Sequence, residues 1–356
     1  MLTPEARTSL EKQHYKIVGE HSAVKTCEWT SSMIKEKGGC YKLTFYGIMS
    51  NRCIQMTTSI MCANRCTFCW RDYKAPVSKE WKWGVDDPEY IIEHSIIAQR
   101  ELLVGYAGDE RRNRLLVEQA MYPQHVALSL TGEPIVYPKI NEICEGFHKR
   151  HISTFLVTNA QYPEAIKDLK LVTQLYISVD APNKELLKEI DRPLFTDYWE
   201  RLLKSLEYMS QKTYRTVIRL TMIKEQNMID YEGYSTLIKL GNPDFIEAKG
   251  YSYLGASKER MKKTNVPTHN EVKEWGIKLL EYLPDYEYVS EHLPSKVILL
   301  AKKKFNKKTW IDYPKFFKEN GFTDKNKVEL PEFAEFKKIK IPTFRGKRVG
   351  GINVLN

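Results

Sequence analysis

Short apolar, β-branched segments alternate with longer segments of helical periodicity through most of this 356-residue chain. Strands that alternate with helices indicate parallel pairing through right-handed crossovers. The pattern therefore predicts an α/β fold, and six strands fit a partial (β/α)6 TIM-like barrel, with an open doubly wound sheet as the alternative. The six predicted strands lie at 52–58, 125–130, 154–158, 174–179, 216–222 and 245–254.

Two of the predicted helices carry clear start signals. Asp87 followed by Pro88 is typical of an N-cap with proline in the first turn, and the apolar residues after it share one face. Gly105 is expected to end that helix. Thr268 and Glu271 have the spacing of a capping box ahead of a further helix.

The pattern changes at both ends of this alternating region. Residues 1–50 form a polar N-terminal extension with a strand-like run at 41–47, and residues 51–284 hold the predicted barrel. Residues 285–356 predict a hairpin or helix, followed by an irregular basic tail. Three regions are therefore expected, with the barrel in the middle.

The chain is basic, with a formal net charge of +10 and a pI near 9.0. This balance favours an anionic partner, above all a nucleic acid, although a lysine-rich surface also serves solubility alone. No apolar stretch reaches the roughly 18 residues that a transmembrane helix needs, and no signal peptide is apparent. We therefore expect a cytoplasmic protein without a membrane partner.

The strongest chemical signal is a compact cysteine triplet, Cys62, Cys66 and Cys69. A structural metal site is normally closed by four protein ligands, whereas three thiolates on a four-iron cluster leave one iron open to a small molecule. Zinc bound by this triplet together with Cys53 is the main alternative. Disulfides are disfavoured because the chain is expected to be intracellular, where thiols stay reduced.

A wider triplet, Cys27, Cys40 and Cys53, begins before the compact one. Three scattered cysteines could equally be buried small hydrophobic residues. Beside the compact triplet, however, they predict a second iron–sulfur cluster with an open iron. The seventh cysteine, Cys144, is expected to pack in the core.

The C-x3-C-x2-C spacing, with Phe68 just before the last cysteine, resembles the signature of radical S-adenosylmethionine (SAM) enzymes. In that superfamily the open iron chelates SAM, and an electron from the cluster releases a 5′-deoxyadenosyl radical. The resemblance places Phe68 near the adenine of SAM. Gly132 and Glu133, after the second predicted strand, are similar to the superfamily's Gly-Glu motif, which contacts the SAM amino group.

Further polar residues follow the third and fourth predicted strands. Ligands bind at the carboxyl ends of strands in parallel α/β folds, and short polar side chains there suit the ribose hydroxyls and carboxylate of SAM. Ordinary loop capping is the alternative for each residue alone. The candidates are Thr158, Asn159, Ser178 and Asp180.

Longer runs of the sequence are similar to one radical SAM family, the tRNA 4-demethylwyosine synthases of wybutosine biosynthesis. The likeness extends from about residue 25 to 310 and includes both cysteine triplets in order. The likeness is to the short archaeal form of the family, which lacks the flavodoxin-like domain of eukaryotic members. It therefore implies an external one-electron reductant and an archaeal cytoplasm. The runs that carry the likeness are 40–48, 51–56, 62–70, 191–195, 198–201 and 247–250.

The resemblance implies two [4Fe-4S] clusters, SAM, and a carbon–carbon lyase or synthase reaction on tRNA-Phe. The radical would abstract hydrogen from the methyl group of N1-methylguanosine, and the resulting carbon radical would add to pyruvate. Loss of the pyruvate carboxyl carbon and ring closure would give the tricyclic 4-demethylwyosine base. The second cluster would position pyruvate or handle an electron, and a monomer is expected.

Lys42 follows Cys40 by two positions in the strand-like run. Its amine could therefore lie beside the second cluster, where burial and positive charge would make it neutral enough to form a Schiff base with a keto acid. A lysine at this position is the proposed pyruvate-binding residue of the family. The alternative is a solvated lysine on the edge of a strand.

The segment after the compact triplet combines aromatic and basic residues, as a surface for a single-stranded RNA loop requires. A base that undergoes chemistry must also leave its stack and enter a pocket. The alternative for this segment is an apolar flap over the cluster. The basic runs at 302–308 and 345–348 are candidates for contacts with the tRNA backbone. The predicted tRNA contacts are Trp70, Arg71, Lys74, Trp81, Lys82 and Trp83.

Three other functions share part of this pattern. A radical SAM methylthiotransferase also uses tRNA and two clusters, but it needs neither pyruvate nor Lys42. A two-cluster electron carrier would have closed four-cysteine sites. A zinc-dependent RNA-binding protein would contain zinc and no sulfide.

Overall fold

The structure of the chain, a computed structural model, describes residues 2–72, 75–109 and 112–332. The predicted tRNA contact Lys74 and the basic run at 345–348 lie outside these residues. Among the helices that are described, none is both long and apolar enough to cross a membrane.

The described strands form one sheet in the order β1-β2-β3-β4-β5-β6-β7-β8-β10-β9. Neighbouring strands from β3 to β8 are parallel, and the pairs at both ends of the sheet are antiparallel. This parallel, chain-ordered sheet confirms the predicted α/β class and the partial barrel. The strands are β1 (Lys16–Val18), β2 (Ser22–Val24), β3 (Cys53–Thr57), β4 (His125–Leu128), β5 (Ser153–Thr158), β6 (Gln174–Ser178), β7 (Arg215–Met222), β8 (Phe245–Gly250), β9 (Tyr286–His292) and β10 (Val297–Lys302).

Helices follow the parallel strands along the chain, as the alternating pattern predicts. The α-helices in the described ranges are α1 (Pro4–Lys12), α2 (Glu28–Ile34), α3 (Tyr41–Tyr46), α4 (Pro88–Ala107), α5 (Arg114–Ala120), α6 (Ile140–Lys149), α7 (Pro163–Asp168), α8 (Lys184–Asp191), α9 (Tyr198–Ser210), α10 (Tyr231–Gly241), α11 (His269–Leu279) and α12 (Tyr313–Glu319).

All six predicted strands are present as β3 to β8, and each begins within one residue of its expected start. The last one is expected to reach residue 254, but β8 ends at Gly250. The apolar and aromatic residues that follow β8 continue as a loop, so their composition alone overestimates the strand.

The strand predicted at 41–47 is wrong, because these residues form the helix α3. Tyr41, Phe45 and Tyr46 are buried together, at the spacing of one helical face rather than in alternation. Gly47 ends the helix in the left-handed conformation, with φ of 76°, and its N–H donates to the carbonyl oxygen of Leu43 (3.0 Å). The aromatic and β-branched composition of this run resembles a strand, whereas its burial period is helical.

The start signals of α4 and α11 are confirmed. The Asp87 carboxylate accepts from the N–H groups of Glu89 (2.9 Å) and Tyr90 (3.2 Å), and Thr268 with Glu271 forms the expected capping box. The predicted end of α4 at Gly105 is wrong, since the helix continues to Ala107. A single glycine costs a helix only about 1 kcal/mol, which packing of the apolar face offsets.

The two faces of the sheet carry different cores. On one face, strand residues such as Leu156 and Ile246 are fully buried in the main core, which also holds Cys144 as predicted. On the other face, here called the inner face, Tyr176 and Phe245 pack against the aromatic side chains of α3 in a second core. The N-terminal extension therefore covers part of the inner face of the barrel.

The sheet continues across both expected region boundaries. Strands β1 and β2 extend it beyond β3, and the predicted C-terminal hairpin, β9 and β10, extends it beyond β8. The three regions of the chain therefore share one hydrogen-bonded sheet.

Candidate active site

The compact cysteine triplet lies in the loop after β3, at the carboxyl edge of the parallel strands. Cys62, Cys66 and Cys69 are half-buried, none forms a disulfide, and their thiols interact electrostatically with one another. In the described ranges, no three Cys, His, Asp or Glu side chains already stand as the ligand set of a metal ion. The three thiols of the loop are therefore not bonded to other cysteines.

The Arg71 guanidinium holds the backbone of this cysteine loop from within. Arg71 is only 8% exposed. Its side chain donates to the carbonyl oxygens of Ile60 (3.1 Å), Pro76 (3.3 Å) and Asn64 (3.4 Å). Arg71 therefore stabilises the loop, and it does not lie on the surface where we expected it to meet tRNA.

A second guanidinium, that of Arg260, holds the same loop from the segment after β8. It donates to the carbonyl oxygens of Thr67 (3.2 Å), Cys69 and Arg71 (3.3 Å). Its distance from the triplet in sequence gives no local signal for this role. Together, Arg71 and Arg260 fix the loop and place two positive charges beside its thiols, where they favour an anionic group.

Burial raises the pKa of two thiols in the cysteine loop. It raises the pKa of Cys62 to about 11, although the charge of Arg71 opposes the rise. Burial also raises the pKa of Cys66 well above its ordinary value, and the carboxylate of Asp191 adds to the rise. Such thiols lose their protons when they coordinate a metal, because the bound cation stabilises the thiolate directly.

Asp191, at the end of α8, is a site residue that the sequence motifs do not select. It is 5% exposed, and its carboxylate accepts from the side-chain amide of Asn64 (3.4 Å). Its backbone carbonyl accepts from the N–H of Arg65 (3.0 Å). The one signal in the sequence is the family-like run at 191–195, which begins at this residue.

Gly132 is required where the loop after β4 passes under the cysteine loop. Its φ is +70°, and a Cβ at this position would lie 2.0 Å from the carbonyl oxygen of Ser59. Only glycine accommodates both the left-handed conformation and this contact. The next residue, Glu133, donates its N–H to the carbonyl oxygen of Met61 (2.7 Å), which ties the two loops together.

The Glu133 carboxylate is buried beside the cysteine loop. The residue is 1% exposed, Oε2 accepts from the N–H of Asn159 (2.8 Å), and Oε1 has no hydrogen-bond partner among the described residues. Burial raises the pKa of Glu133 to about 7, although hydrogen bonds from Asn159 and Thr158 oppose the rise. A buried acceptor without a partner beside three thiols can accept from a ligand ammonium group.

Asn159 and Thr158 lie beside Glu133 at this edge of the sheet, and their contact with SAM stays a prediction. The side-chain amide of Asn159 donates to the sulfur of Cys62 (3.4 Å). The hydroxyl oxygen of Thr158 accepts from the N–H of Ala160 (3.2 Å), which is the local capping role expected as the alternative. The structure therefore brings the ends of β4 and β5 to the cysteine loop.

Asp180, Ser178 and Phe68 lie around the same edge of the sheet. The Asp180 carboxylate is buried and accepts from the N–H of Thr221 (3.1 Å) on β7, and burial raises its pKa. Ser178 is half-buried at the end of β6, in register with Arg219 on β7. Phe68 is half-buried against the main core. Asp180 thus stabilises the sheet edge, and Ser178 remains at the inner face.

The wide triplet gathers at the opposite end of β3. Cys53 is the first residue of β3, and Cys27 and Cys40 are the N-cap residues of α2 and α3. Their thiols interact electrostatically with one another. Because β3 has five residues, Cys53 lies about 13 Å from Thr57 at the other end of the strand. The chain therefore holds two separate groups of three cysteines.

Lys42 lies beside this second group, although not on the strand that we expected. It is the second residue of α3 and is half-buried over the inner face, with Nζ 4.6 Å from the ring centre of Tyr176. Its charge interacts with the thiols of Cys27, Cys40 and Cys53. The alternative of a solvated lysine at a strand edge is therefore wrong.

Glu247, in the middle of β8, faces the amine of Lys42. It is fully buried and accepts from the hydroxyl of Tyr46 (2.8 Å). Burial raises the pKa of Glu247, and the charges of Lys42 and Arg219 oppose the rise. The carboxylate therefore sits among cations on the inner face, in register with Arg219.

A second lysine, Lys249, follows two residues later on the same face of β8. Burial and the charge of Arg219 lower the pKa of Lys249 to about 8. Glu247 and Lys249 belong to the family-like run at 247–250, and the alternation of a strand would have placed both on one face. Their neighbours on β7 could not be identified from the sequence, because register is a tertiary property.

The aromatic segment after the cysteine loop packs largely on the protein itself. Trp70 and Trp83 contact a small apolar cluster, and Trp81 lies 4.7 Å from the ring of His21. All three tryptophans are half-buried, whereas Lys82 is exposed. This packing fits the alternative prediction of an apolar flap over the cluster. Contacts of these residues with RNA stay predictions.

Comparison with known families identifies two matching regions of the chain. Residues 56–237 match the Radical SAM superfamily, and residues 240–302 match a family described as Wyosine base formation. The first region contains the compact triplet and the parallel strands β4 to β7, and the second contains β8 and the hairpin.

Curated relatives are similar over most of this chain. The S-adenosyl-L-methionine-dependent tRNA 4-demethylwyosine synthase of Oryza sativa subsp. japonica is 50% identical over 323 residues, which cover 89% of this chain and 50% of the relative. The corresponding synthase TYW1 of Xenopus laevis is 48% identical over 321 residues, covering 89% and 44%. The chain therefore spans about half the length of the curated relatives it matches.

Two solved structures are similar over nearly their whole length. A TYW1 structure with a lysine–pyruvate adduct bound has a TM-score of 0.77 and 35% identity, covering 85% of this chain and 97% of that one. An archaeal TYW1 structure has a TM-score of 0.71 and 30% identity, covering 88% and 99%. The fold, the spacing of the compact triplet and the sequence likeness thus agree.

Proposed function

We propose that this chain, which belongs to the tRNA 4-demethylwyosine synthase family of radical SAM enzymes, converts N1-methylguanosine in tRNA-Phe to the tricyclic 4-demethylwyosine base. Pyruvate is the proposed second substrate. The observation that carries the proposal is the pair of three-cysteine groups at opposite ends of β3, with Lys42 beside the second. A methylthiotransferase would need no amine at that position.

The first cysteine group suits a [4Fe-4S] cluster with SAM. Three thiols without a fourth protein ligand leave one iron for a small molecule, and the unpartnered Oε1 of Glu133 can accept from the SAM ammonium. When bound, the cluster and SAM supply the radical that takes hydrogen from the N1-methyl group. Arg71 and Arg260 keep the loop in place for that binding.

The affinity for SAM is expected to rise with pH around the pKa of Glu133. An ammonium pairs with the carboxylate form, so protonation of Glu133 below about pH 7 weakens binding. Between one pH unit below and one above that pKa, the affinity should change by about tenfold. Calorimetric titration of the reconstituted protein with SAM measures this change, which Glu133→Gln should remove. A pH-independent affinity in the unchanged protein would contradict the role of Glu133.

The second cysteine group is proposed to hold a second [4Fe-4S] cluster. Reconstituted protein should then contain about eight iron atoms per chain, and Cys53→Ala should contain about four. Cys144→Ala is the matched control, because this buried core cysteine should leave the iron content unchanged. Colorimetric iron and sulfide analysis measures both. About eight iron atoms in Cys53→Ala would contradict a second cluster at this position.

Lys42 is proposed to bind pyruvate covalently. Its amine nitrogen would attack the keto carbon and form a C=N bond, while the keto oxygen leaves as water. The Glu247 carboxylate, which interacts with Lys42, would balance the charge of the protonated imine. Lys249 also lies on this face, but Lys42 is favoured because its charge interacts with all three cysteines of the second group. The adduct in the solved relative supports a lysine in this role.

The remaining partners are proposed on chemical grounds. Reductive cleavage of SAM consumes an electron that neither tRNA nor pyruvate supplies, so an external one-electron reductant is needed. Exposed Lys82 is proposed to contact the tRNA. In the basic run at 302–308, however, Lys304 pairs with Asp244 (2.8 Å) and Lys307 lies 3.7 Å from Glu287, which reduces the charge available to RNA. A cytoplasmic monomer with a central barrel is proposed as well.

Product analysis tests the proposed function. The anaerobically reconstituted and reduced protein is incubated with SAM, pyruvate and tRNA-Phe that carries N1-methylguanosine. Mass spectrometry of the digested nucleosides should detect the tricyclic base only when all three are present. Formation of 5′-deoxyadenosine without that base would retain the radical SAM chemistry and contradict the proposed substrate pair.

A further inference from the structure

We propose that Arg219 binds the carboxylate of the keto acid that Lys42 holds. The inference deepens the proposed function and rests on it, since it assumes that pyruvate is attached through its keto carbon. An acid attached in this way still carries its carboxylate, which needs a cation in a partly buried site. Four observations on the inner face assign this role to Arg219.

The first observation is the position of Arg219 in the middle of β7. Its neighbours in register are Ser178 on β6 and Glu247 on β8. Ser178 belongs to the proposed SAM site, and Glu247 interacts with Lys42. Arg219 therefore lies between the two proposed binding sites, where the carbon radical and pyruvate must meet.

The second observation is the unused hydrogen-bonding capacity of Arg219. Among the residues that the structure describes, its buried Nε has no hydrogen-bond partner. The carboxylates of Glu247 and Asp180 interact electrostatically with the guanidinium, but neither accepts a hydrogen bond from Nε. A buried donor without a partner destabilises the folded state, and native proteins rarely keep one. The guanidinium is thus prepared for an acceptor that a ligand brings.

The nearby Arg215 differs from Arg219, because its Nε has a hydrogen-bond partner. It lies four residues earlier on the same face of β7, but its Nε donates to the side chain of Gln174 (2.9 Å). Its Nη2 donates to the carbonyl oxygen of Thr309 (2.8 Å), and the guanidinium lies 4.4 Å from the ring centre of Phe245. The guanidinium of Arg215 is therefore hydrogen-bonded to groups of the protein, whereas the Nε of Arg219 is not.

The third observation is that Arg219 and Lys42 share their neighbours. The Nζ of Lys42 lies 4.6 Å from the ring centre of Tyr176, and Tyr176 interacts electrostatically with Arg219. Glu247 also interacts with both cations. Two shared neighbours on one face of the sheet put Arg219 and Lys42 in the same part of the inner face, where we expect the guanidinium to meet a three-carbon acid attached to Lys42.

The fourth observation is the charge of the inner face. Arg219, Lys42 and Lys249 face two acids, Glu247 and Asp180, and burial raises the pKa of both acids. An added monoanion is therefore favoured. Arg219 is a better anchor than Lys249, because a guanidinium stays charged and binds a carboxylate through two parallel hydrogen bonds, whereas the pKa of Lys249 is lowered to about 8.

The test compares pyruvate with pyruvamide, its neutral amide analogue, in the reconstituted holoenzyme. Borohydride traps either compound on the lysine, and peptide mass spectrometry measures the trapped fraction against concentration. The unchanged protein should prefer pyruvate by roughly 10- to 100-fold. Arg219→Gln should remove this preference and trap pyruvamide as before. Arg219→Lys should keep part of the preference, because it retains the charge without the paired hydrogen bonds.

Arg215→Gln is the matched control, since it removes a guanidinium from the same face of the same strand, and it should keep the preference. A preference that survives in Arg219→Gln, or that disappears in Lys249→Gln instead, would overturn the assignment. Survival in both variants would place the carboxylate on the second cluster. Trapping that persists in Lys42→Ala would contradict the proposed attachment of pyruvate to Lys42, and absence of the tricyclic product would contradict the proposed function, so these failures are distinguishable from a failure of Arg219.

Discussion

Replacement of Lys42 by alanine is expected to abolish formation of the tricyclic base, by at least about 10³-fold, because loss of a covalent nucleophile costs about as much as loss of the whole catalytic unit. Lys42 lies beside the second cysteine group and 4.6 Å from the ring centre of Tyr176, and its amine is proposed to carry pyruvate. Cleavage of SAM depends on the first group and should continue. Chromatography of nucleosides and of 5′-deoxyadenosine from the same reaction measures both effects.

Lys37→Ala provides the matched control for this experiment. Lys37 is exposed and lies three residues before Cys40, so its removal should leave the tricyclic product unchanged. Iron analysis of each variant establishes that both clusters are present. Tricyclic base formed by Lys42→Ala at the rate of the unchanged protein would show that another residue, or none, carries pyruvate.

Gly132→Ala is expected to weaken SAM binding by at least about tenfold. A residue other than glycine in the left-handed conformation costs about 1–2 kcal/mol, and the added Cβ would lie 2.0 Å from the carbonyl oxygen of Ser59. One of the two loops must move, which displaces Glu133 from the cysteine loop. Calorimetric titration of the reconstituted variant with SAM measures the loss, and thermal unfolding should show a lower midpoint.

Gly105→Ala is the control for a glycine without such a constraint. It lies within α4, and a Cβ there would meet no atom of the described residues within 4 Å. This substitution should leave SAM binding unchanged and stabilise the protein by roughly 0.5–1 kcal/mol. Wild-type affinity in Gly132→Ala would show that the close contact of the two loops does not position the SAM site.

Local patterns predict the strands and the ends that hold the first site. The six parallel strands are short apolar runs whose length and spacing appear directly in the sequence, and polar residues follow them at the carboxyl edge. The sequence alone therefore places Glu133 and Asn159 near Cys62, and their hydrogen bonds in the folded chain agree. The regular order of the strands carries this information, because successive parallel strands end at the same edge.

Long-range contacts account for what the sequence could not provide. Arg260 reaches the cysteine loop from a segment almost two hundred residues later, and only the folded chain shows its acceptors. Arg219 resembles an ordinary strand residue until its register with Glu247 and its unpartnered Nε are known. Register and hydrogen-bond satisfaction depend on neighbouring strands, which no local pattern specifies.

Composition is ambiguous where one residue type serves two purposes. Aromatic residues at 41–47 fit a strand by composition, but they bury one face of α3. Tryptophans after the cysteine loop fit an RNA surface equally well, and Trp81 nevertheless packs against His21. Arg71 was expected at that surface because of its charge, whereas three backbone carbonyl groups of the loop accept its hydrogen bonds.

Transfer of deuterium from the methyl group of the tRNA to 5′-deoxyadenosine distinguishes the proposed reaction from other radical SAM reactions. The reconstituted, reduced protein is given SAM, pyruvate and tRNA-Phe in which the methyl group of N1-methylguanosine is fully deuterated. We expect 5′-deoxyadenosine to carry one deuterium and the tricyclic base to form in proportion to it. Deuterium-free 5′-deoxyadenosine, with the methyl group of the tRNA intact, would contradict the proposed substrate.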